Sequence, residues 1–84
     1  HTRASGDIGR MRVDGGDFAI GRFELGEKDY AEAWYALAAG WLPDSGYEPD
    51  DRYSYERFPM DQSSATPGKY VVDICLPVRP LRRY

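Results

Sequence analysis

The sequence predicts an α+β domain, a four-stranded antiparallel sheet with one long helix packed on one face. Two observations lead to this fold class. Four short segments have the composition or the apolar–polar alternation of strands. Between the second and the third of these lies one segment whose apolar residues recur at three- and four-residue spacing, which is typical of a helix. Because such a helix and such a sheet each have a single apolar side, the two pack together. The other face of the sheet meets water, a partner or a ligand.

The first two strands are predicted as a hairpin of residues 8–13 and 18–25. The intervening Asp14-Gly15-Gly16-Asp17 is a strong turn signal, because glycine adopts positive φ without steric cost. Residues 1–7 are polar and are predicted to be a disordered leader. The domain is predicted to span residues 8–80, followed by a tail at 81–84.

One helix is predicted over residues 27–42. Its apolar stripe consists of Tyr30, Trp34, Leu37 and Trp41. Acidic residues in the first turn favour the positive end of the helix dipole. Pro43 ends the helix, because the residue before a proline is disfavoured in the α region.

The remaining strands are predicted at residues 53–58 and 69–77, after a loop at 43–52. Alternation along the last strand separates Tyr70, Val72, Ile74 and Leu76 from Val71, Asp73 and Cys75. Asp73 is charged on an otherwise apolar strand. We therefore expect it to pair across the sheet with an arginine, Arg57 or Arg22.

Charge and composition exclude several classes of function. The formal net charge of −3 argues against direct contact with nucleic acid, which needs a basic face. No apolar run approaches the ~20 residues that span a bilayer, so no membrane association is expected. The single cysteine, Cys75, is expected to be a small buried hydrophobe, and no metal site or cofactor is predicted. A lone cysteine without an export signal favours the cytoplasm.

Aromatic residues and one glutamate suggest a ligand site. Seven Tyr, two Trp and three Phe among 84 residues suit a ligand cleft or a wet interface, although they equally suit the core of a small domain. Alternation places Glu56 and Phe58 on one face of their strand, and Tyr55 and Arg57 on the other. A glutamate among aromatic residues is costly to bury unpaired. Glu56 therefore points to solvent, pairs with an arginine such as Arg57 or Arg22, or receives a ligand.

Four stretches of the chain resemble, in order and spacing, the motifs of GyrI-like domains. Gly15-Gly16-Asp17-Phe18-Ala19 resembles the opening G-G-x-Y/F-A of that family. Trp41-Leu42-Pro43-Asp44-Ser45-Gly46-Tyr47-Glu48 resembles its W-L-P-x-S-G-Y-E signature. Tyr55-Glu56-Arg57-Phe58 with Asp61 resembles its F-E-x-Y…D-P strand and loop, and the segment from Val72 to Val78 resembles its closing D-I-x-(I/L)-P-V strand.

The resemblance implies a domain of two similar strand–helix–strand–strand modules, of which this chain matches the second. It further implies that small, aromatic or cationic organic molecules bind in an aromatic-walled cleft around Glu56. The other ligand-binding residues predicted are Trp41, Phe58, Tyr47 and Tyr55. For Trp41 and Tyr47, packing in the core or the loop stays open as the alternative.

The resemblance favours the sensor part of a bacterial AraC-type transcription regulator. The alternative is a stand-alone protein that hydrolyses reactive cyclopropane-bearing toxins or interacts with gyrase. Binding is favoured over catalysis, because no nucleophile–base pair is visible, and no catalytic residue is predicted. Because the chain supplies one module, we expect a homodimer or the missing N-terminal module to complete the cleft.

Overall fold

The computed structural model describes residues 6–13 and 15–81, and the fold is α+β, as predicted. One antiparallel sheet contains all five of the strands among these residues. They are Gly6–Val13 (β1), Gly16–Leu25 (β2), Tyr47–Pro49 (β3), Tyr55–Arg57 (β4) and Tyr70–Pro80 (β5). Of the predicted leader, residues 1–5 lie outside the described part, whereas Gly6 and Asp7 begin β1. Of the predicted tail, residues 82–84 also lie outside it.

The two long strands β2 and β5 form the centre of the sheet. They pair from Asp17 opposite Val78 to Leu25 opposite Tyr70. β1 lies outside β2 as the other half of the predicted hairpin, and Gly15 in the connecting turn has a φ of 79°. β3 and β4 share the other edge of β5, with β3 near its end and β4 beside its middle.

The sheet has one strand more than predicted, because β5 continues to Pro80. This extension offers backbone partners to residues 47–49, which fall in a segment predicted as a loop. Gly46, with a φ of 85°, turns the chain into β3, and its carbonyl accepts a hydrogen bond of 2.8 Å from the amide of Leu81. The added strand therefore depends on a partner 30 or so residues further along the chain.

The α-helix, Tyr30–Tyr35 (α1), is shorter than predicted. Residues 26–29 instead form a turn, closed by a hydrogen bond of 2.8 Å from the Gly26 amide to Oδ2 of Asp29. After α1 the backbone widens into a π-helical turn, Ala36–Trp41, and then tightens into a 3₁₀ turn, Leu42–Asp44. None of the helical segments in the described part of the chain has the length and apolarity to cross a membrane.

The widened turn explains how two leucines five residues apart reach the same core. The amide of Leu42 donates to the carbonyl of Leu37, and both side chains are buried. They pack with the apolar side of β2 and β5. The full core cluster consists of Ala19, Phe23, Leu25, Ala33, Leu37, Leu42, Val72, Ile74 and Val78. We call this side of the sheet the helix face.

The opposite side, here called the open face, carries Arg22, Asp73 and Cys75. Arg22 pairs with Asp73 and Ile20 with Cys75 between β2 and β5. The alternation predicted for the last strand is confirmed, since Val72 and Ile74 belong to the core cluster while Asp73 lies among the arginines. No helix of the described residues packs on the open face, so its buried groups are covered by side chains.

Candidate functional site

The short strand β4 sends its side chains to both faces of the sheet. Glu56 lies opposite Ile74, a core residue, and so belongs to the helix face. Tyr55 and Arg57 lie opposite Cys75 and Asp73 and belong to the open face. This distribution is the one that alternation predicts. All three side chains are exposed, so they are accessible to molecules in solution.

Two side chains hold the ends of the segment that contains β4. Before it, Arg52 donates through Nη2 to the carbonyl oxygens of Asp17, at 2.7 Å, and Val78, at 3.2 Å. Its guanidinium also lies 4.7 Å from the centre of the Phe18 ring. After β4, the amide of Gln62 exchanges hydrogen bonds of 2.7 and 3.0 Å with the backbone of Val71. These clamps fix β4 although it forms only three residue pairs with β5.

The Glu56 carboxylate receives its hydrogen bond from a neutral donor. Trp34 Nε1 donates to Oε2 of Glu56 at a distance of 2.8 Å. Arg22 and Arg57, the predicted alternatives, bind Asp73 instead. Within residues 6–13 and 15–81, Glu56 forms no ion pair. Its negative charge is therefore held beside an indole ring, and no cation of the described residues balances it.

The aromatic residues near this carboxylate extend from Trp34 to Tyr30 and onward to two further rings. Burial raises the pKa of the Tyr30 hydroxyl, and the nearby Glu56 charge and Tyr70 raise it further. Tyr70 packs edge-to-face with Phe58, with ring centres 6.1 Å apart. Tyr30 and Tyr70 also line a concavity of about 430 Å³, together with Leu25, Gly26, Glu27 and Gly68. We call Tyr30, Trp34, Phe58 and Tyr70 the aromatic cluster.

The other predicted site residues occupy different surroundings. Trp41, the last residue of the π-helical turn, is half-buried and packs against the core. Tyr47 packs there too, and the Arg10 guanidinium lies 5.4 Å from its ring centre. Tyr55 lies on the open face, edge-to-face with Phe18 at 5.8 Å. Contact of these three residues with a ligand stays a prediction.

Three residues of the aromatic cluster were not predicted as site residues from the sequence. Tyr30 and Trp34 belong to the predicted helical stripe and Tyr70 to one face of the predicted last strand, and their pattern singles out none of the three for the site. One signal was present in the chemistry of the residues. The polar tip of a partly buried Trp or Tyr needs a hydrogen-bond partner, so a tryptophan on a helix that covers a sheet points to an acceptor on a nearby strand.

On the open face, one buried carboxylate holds two arginines. Asp73 is 1% exposed. Arg22 reaches it with Nε at 2.7 Å and Nη2 at 2.9 Å, and Arg57 reaches it with Nη2 at 2.9 Å. The hydrogen bond from Arg22 is the main cause that lowers the pKa of Asp73, and the bond from Arg57 acts in the same direction. The predicted pairing of Asp73 with an arginine is confirmed, with both candidates engaged.

Cys75 lies next to this cluster and is fully buried. Burial raises the pKa of its thiol. A thiol rather than a thiolate at neutral pH is a poor nucleophile. This environment agrees with the prediction that Cys75 acts as a small hydrophobe.

Comparison with known proteins gives a family for the chain. The profile of the GyrI-like small molecule binding domain matches residues 2–79. A protein from Edwardsiella piscicida named DNA gyrase inhibitor is 32% identical over 79 residues, which cover 90% of this chain and 50% of that protein. A second DNA gyrase inhibitor, from Erwinia billingiae (strain Eb661), is 27% identical over 66 residues, 79% of this chain and 41% of its own length. The chain thus spans about half the length of these relatives. No solved structure matches it.

Proposed function

Because the chain belongs to the family of GyrI-like small molecule binding domains, we propose that it binds small aromatic organic cations at Glu56. The observation that carries this proposal is the carboxylate of Glu56, which accepts a hydrogen bond from Trp34 and is balanced by no cation in the described residues. Trp34 keeps that carboxylate in place while leaving its negative charge intact. The aromatic cluster supplies the faces against which the apolar part of an organic cation packs.

The expected interaction free energies indicate which part of the ligand contributes most to affinity. An exposed ion pair contributes only about 0–1 kcal/mol, because water screens it. Contact of the cation with aromatic faces adds about 0.5–2 kcal/mol. The apolar body must therefore supply most of the affinity, and at about 0.3 kcal/mol per atom a ligand of some twenty atoms reaches a dissociation constant on the order of 10–100 µM.

Titration with tetraphenylphosphonium tests this proposal, with neutral triphenylphosphine oxide as the uncharged comparison. We expect Glu56→Gln to weaken binding of the cation by about two- to fivefold and to leave binding of the oxide unchanged. Glu32→Gln is the matched control, because Glu32 is an exposed glutamate of α1 outside the aromatic cluster. Equal affinity of the cation for wild type and Glu56→Gln would remove Glu56 from the site.

A second module completes the cleft in this proposal. It comes from a homodimer or from an N-terminal module, and the outer edge of β4, which pairs only with β5 among the described strands, is the sheet edge nearest Glu56. In a two-fold dimer, two Glu56 side chains approach one shared cleft. Analytical ultracentrifugation across a dilution series tests the dimer, and a stable monomer at high micromolar concentration would leave the N-terminal module as the only candidate.

The protein context that fits best is the sensor part of a cytoplasmic AraC-type regulator, where ligand binding controls a separate DNA-binding segment. The net charge of −3 supports a division of labour in which this segment itself does not touch DNA. The test is the reading frame upstream of this segment, and a helix-turn-helix region there is the expected result. A frame that encodes only a GyrI-like domain would refute this context.

A second function is favoured by the names of the relatives. Both are called DNA gyrase inhibitors, which makes gyrase a candidate protein partner of this chain. A supercoiling assay with purified gyrase tests this candidate. Inhibition by wild-type protein that survives Glu56→Gln would separate gyrase interaction from cation binding.

A further inference from the structure

The open face of the sheet contains a concavity of about 340 Å³ that the cation site does not use. Its lining is formed by Asp7, Gly9, Arg10, Met11, Ile20, Arg22, Arg57 and Asp73. The guanidinium of Arg10 is occupied elsewhere, because it binds Asp17 at 3.1 Å. The charged groups that define this concavity are therefore Arg22, Arg57, Asp73 and Asp7.

The two arginines exceed what the buried carboxylate needs. A single guanidinium neutralises Asp73, and Arg22 already donates to both carboxylate oxygens of Asp73 in a bidentate contact. Arg57 adds a second positive charge at the same carboxylate. The pair of arginines with Asp73 thus carries a surplus of one positive charge, and both arginine side chains remain about half exposed.

Hydrogen-bond donors are also left over. Each arginine has five N–H groups, and both use Nε and Nη2 on Asp73. In the described part of the chain, neither Nη1 group has a hydrogen-bond partner. Because Asp73 is buried and holds both guanidinium planes, these donors are fixed in orientation before any ligand arrives, which lowers the entropy cost of binding.

The floor beside the arginines is apolar. Ile20 is half-buried, and Met11 on the neighbouring strand is 50% exposed. Gly9 lies opposite Ile20 between β1 and β2, so no side chain of β1 covers that position. A ligand that places a charged group on the arginines can therefore lay an apolar part on Ile20 and Met11.

We propose that this concavity binds small organic anions through a carboxylate or phosphate group held by Arg22 and Arg57. Planar guanidinium forks match such oxyanions in geometry as well as charge. Asp7 is the opposing group, since it lies opposite Arg22 between β1 and β2 and its carboxylate competes with the ligand. The site is separate from the one proposed at Glu56, because it lies on the other face of the sheet and selects the opposite charge.

Nuclear magnetic resonance of the whole chain tests the proposal, with phenyl phosphate, phenylacetate and inorganic phosphate as probes at low salt. We expect saturable shifts of the Arg22 and Arg57 Nε–H signals. The two organic probes distinguish a phosphate from a carboxylate preference. Phenyl phosphate is expected to bind about threefold or more tightly than inorganic phosphate, because its ring contacts Met11 and Ile20.

Three variants separate a built site from general attraction. Arg57→Gln is expected to weaken binding of phenyl phosphate by about five- to tenfold, because a charge-assisted contact is lost. Asp7→Asn is expected to tighten it by about twofold, because a competing charge is removed. Arg79→Gln removes an equally charged, half-exposed arginine that binds Glu48 at the far end of β5, and is expected to stay within about twofold of wild type.

Arg57→Lys provides a second measurement, because lysine keeps the charge beside Asp73 while losing the fork. It is expected to fold like wild type and to bind phenyl phosphate more weakly. The proposal is overturned if binding does not saturate at about 20 mM probe, because a dissociation constant above that concentration does not indicate specific recognition. Equal weakening in Arg57→Gln and Arg79→Gln overturns it as well, and so does an Asp7→Asn variant that binds no better than wild type.

Discussion

The helix face and the open face of one sheet are stabilised in different ways. On the helix face, Phe23, Ile74 and Leu37 are buried against one another and need only shape to fit. On the open face, Asp73 is buried just as deeply, but it is stable there only because Arg22 and Arg57 bind it. Stability in the apolar core of the helix face therefore depends on volume, and at Asp73 on the open face it depends on charge.

The two faces also differ in the charged groups they present to a ligand. The helix face presents the carboxylate of Glu56, bound by the neutral Trp34, while the open face presents two guanidinium groups that share the carboxylate of Asp73. One sheet thus separates two binding chemistries, and the three residues of β4 contribute to both. Substitutions that change side-chain volume or side-chain charge test the two faces separately.

The largest effect is expected for Phe23→Ala. Phe23 is 2% exposed, and truncation of a buried phenylalanine costs about 3–5 kcal/mol because it leaves a cavity. This is a large part of the stability of a small domain. Met11→Ala on the open face is the matched control and is expected to cost less than about 0.5 kcal/mol. Urea unfolding followed by tryptophan fluorescence measures both, and similar losses would contradict the contribution of Phe23 to the core of the helix face.

A smaller effect, of about 1.5–3 kcal/mol, is expected for Asp73→Asn at neutral pH, because the charged acceptor of two arginines becomes neutral. The arginines lower the pKa of Asp73 in the folded state, so its stabilisation is present above the unfolded pKa of about 3.9. It is lost as the pH falls through the lower, folded pKa. Wild type should therefore lose more stability in acid than Asp73→Asn.

Urea unfolding at several pH values between about 2 and 7 measures this difference. Asp50→Asn is the control. The pKa of Asp50 is also lowered, first by the Asp51 amide and then by Arg52, but Asp50 is more exposed and should change the acid dependence less. Parallel pH curves for wild type and Asp73→Asn would show that the ion pairs of the open face do not contribute to folding.

The smallest effect concerns which tryptophan senses a ligand on the helix face. Trp34 donates to Glu56, whereas Trp41 packs against the core. We therefore expect the fluorescence response to tetraphenylphosphonium to persist in Trp41→Phe and to disappear in Trp34→Phe. The affinity of Trp34→Phe should fall by about two- to fivefold, because phenylalanine is a weaker cation–π partner and cannot donate to Glu56. A response that disappears only in Trp41→Phe would move the cleft wall to Trp41.

Much of the sheet was predictable from local pattern. The alternation of β5 identified its two faces, and the charge of Asp73 on an apolar strand indicated an arginine partner. Both inferences rest on the two-residue period of a strand and on the cost of burying a lone charge. The turn at Gly15 was predictable for a similar reason, because few residues other than glycine adopt its positive φ.

Features that depend on distant partners were not predictable. β3 forms only because the end of β5 passes beside it, and its own sequence has the composition of a loop. The π-helical turn depends on placing Leu37 and Leu42 in one core, which helix propensity does not record. The pairing of Trp34 with Glu56 joins residues 22 positions apart, and periodicity gives the face of each element without saying which of its residues meet.

The clamps on either side of β4 have a consequence for local opening. Strands with few pairs at a sheet edge exchange their amide hydrogens through small openings that leave the rest of the fold intact. β4 is such a strand, and the carboxylate of Glu56 and the guanidinium of Arg57 depart together when it opens. A ligand on either face must then hold the strand closed. A ligand bound on one face should slow amide exchange in Tyr55–Arg57 and raise the affinity of the other face for its own ligand. The two ligands should raise each other's affinity by the same factor.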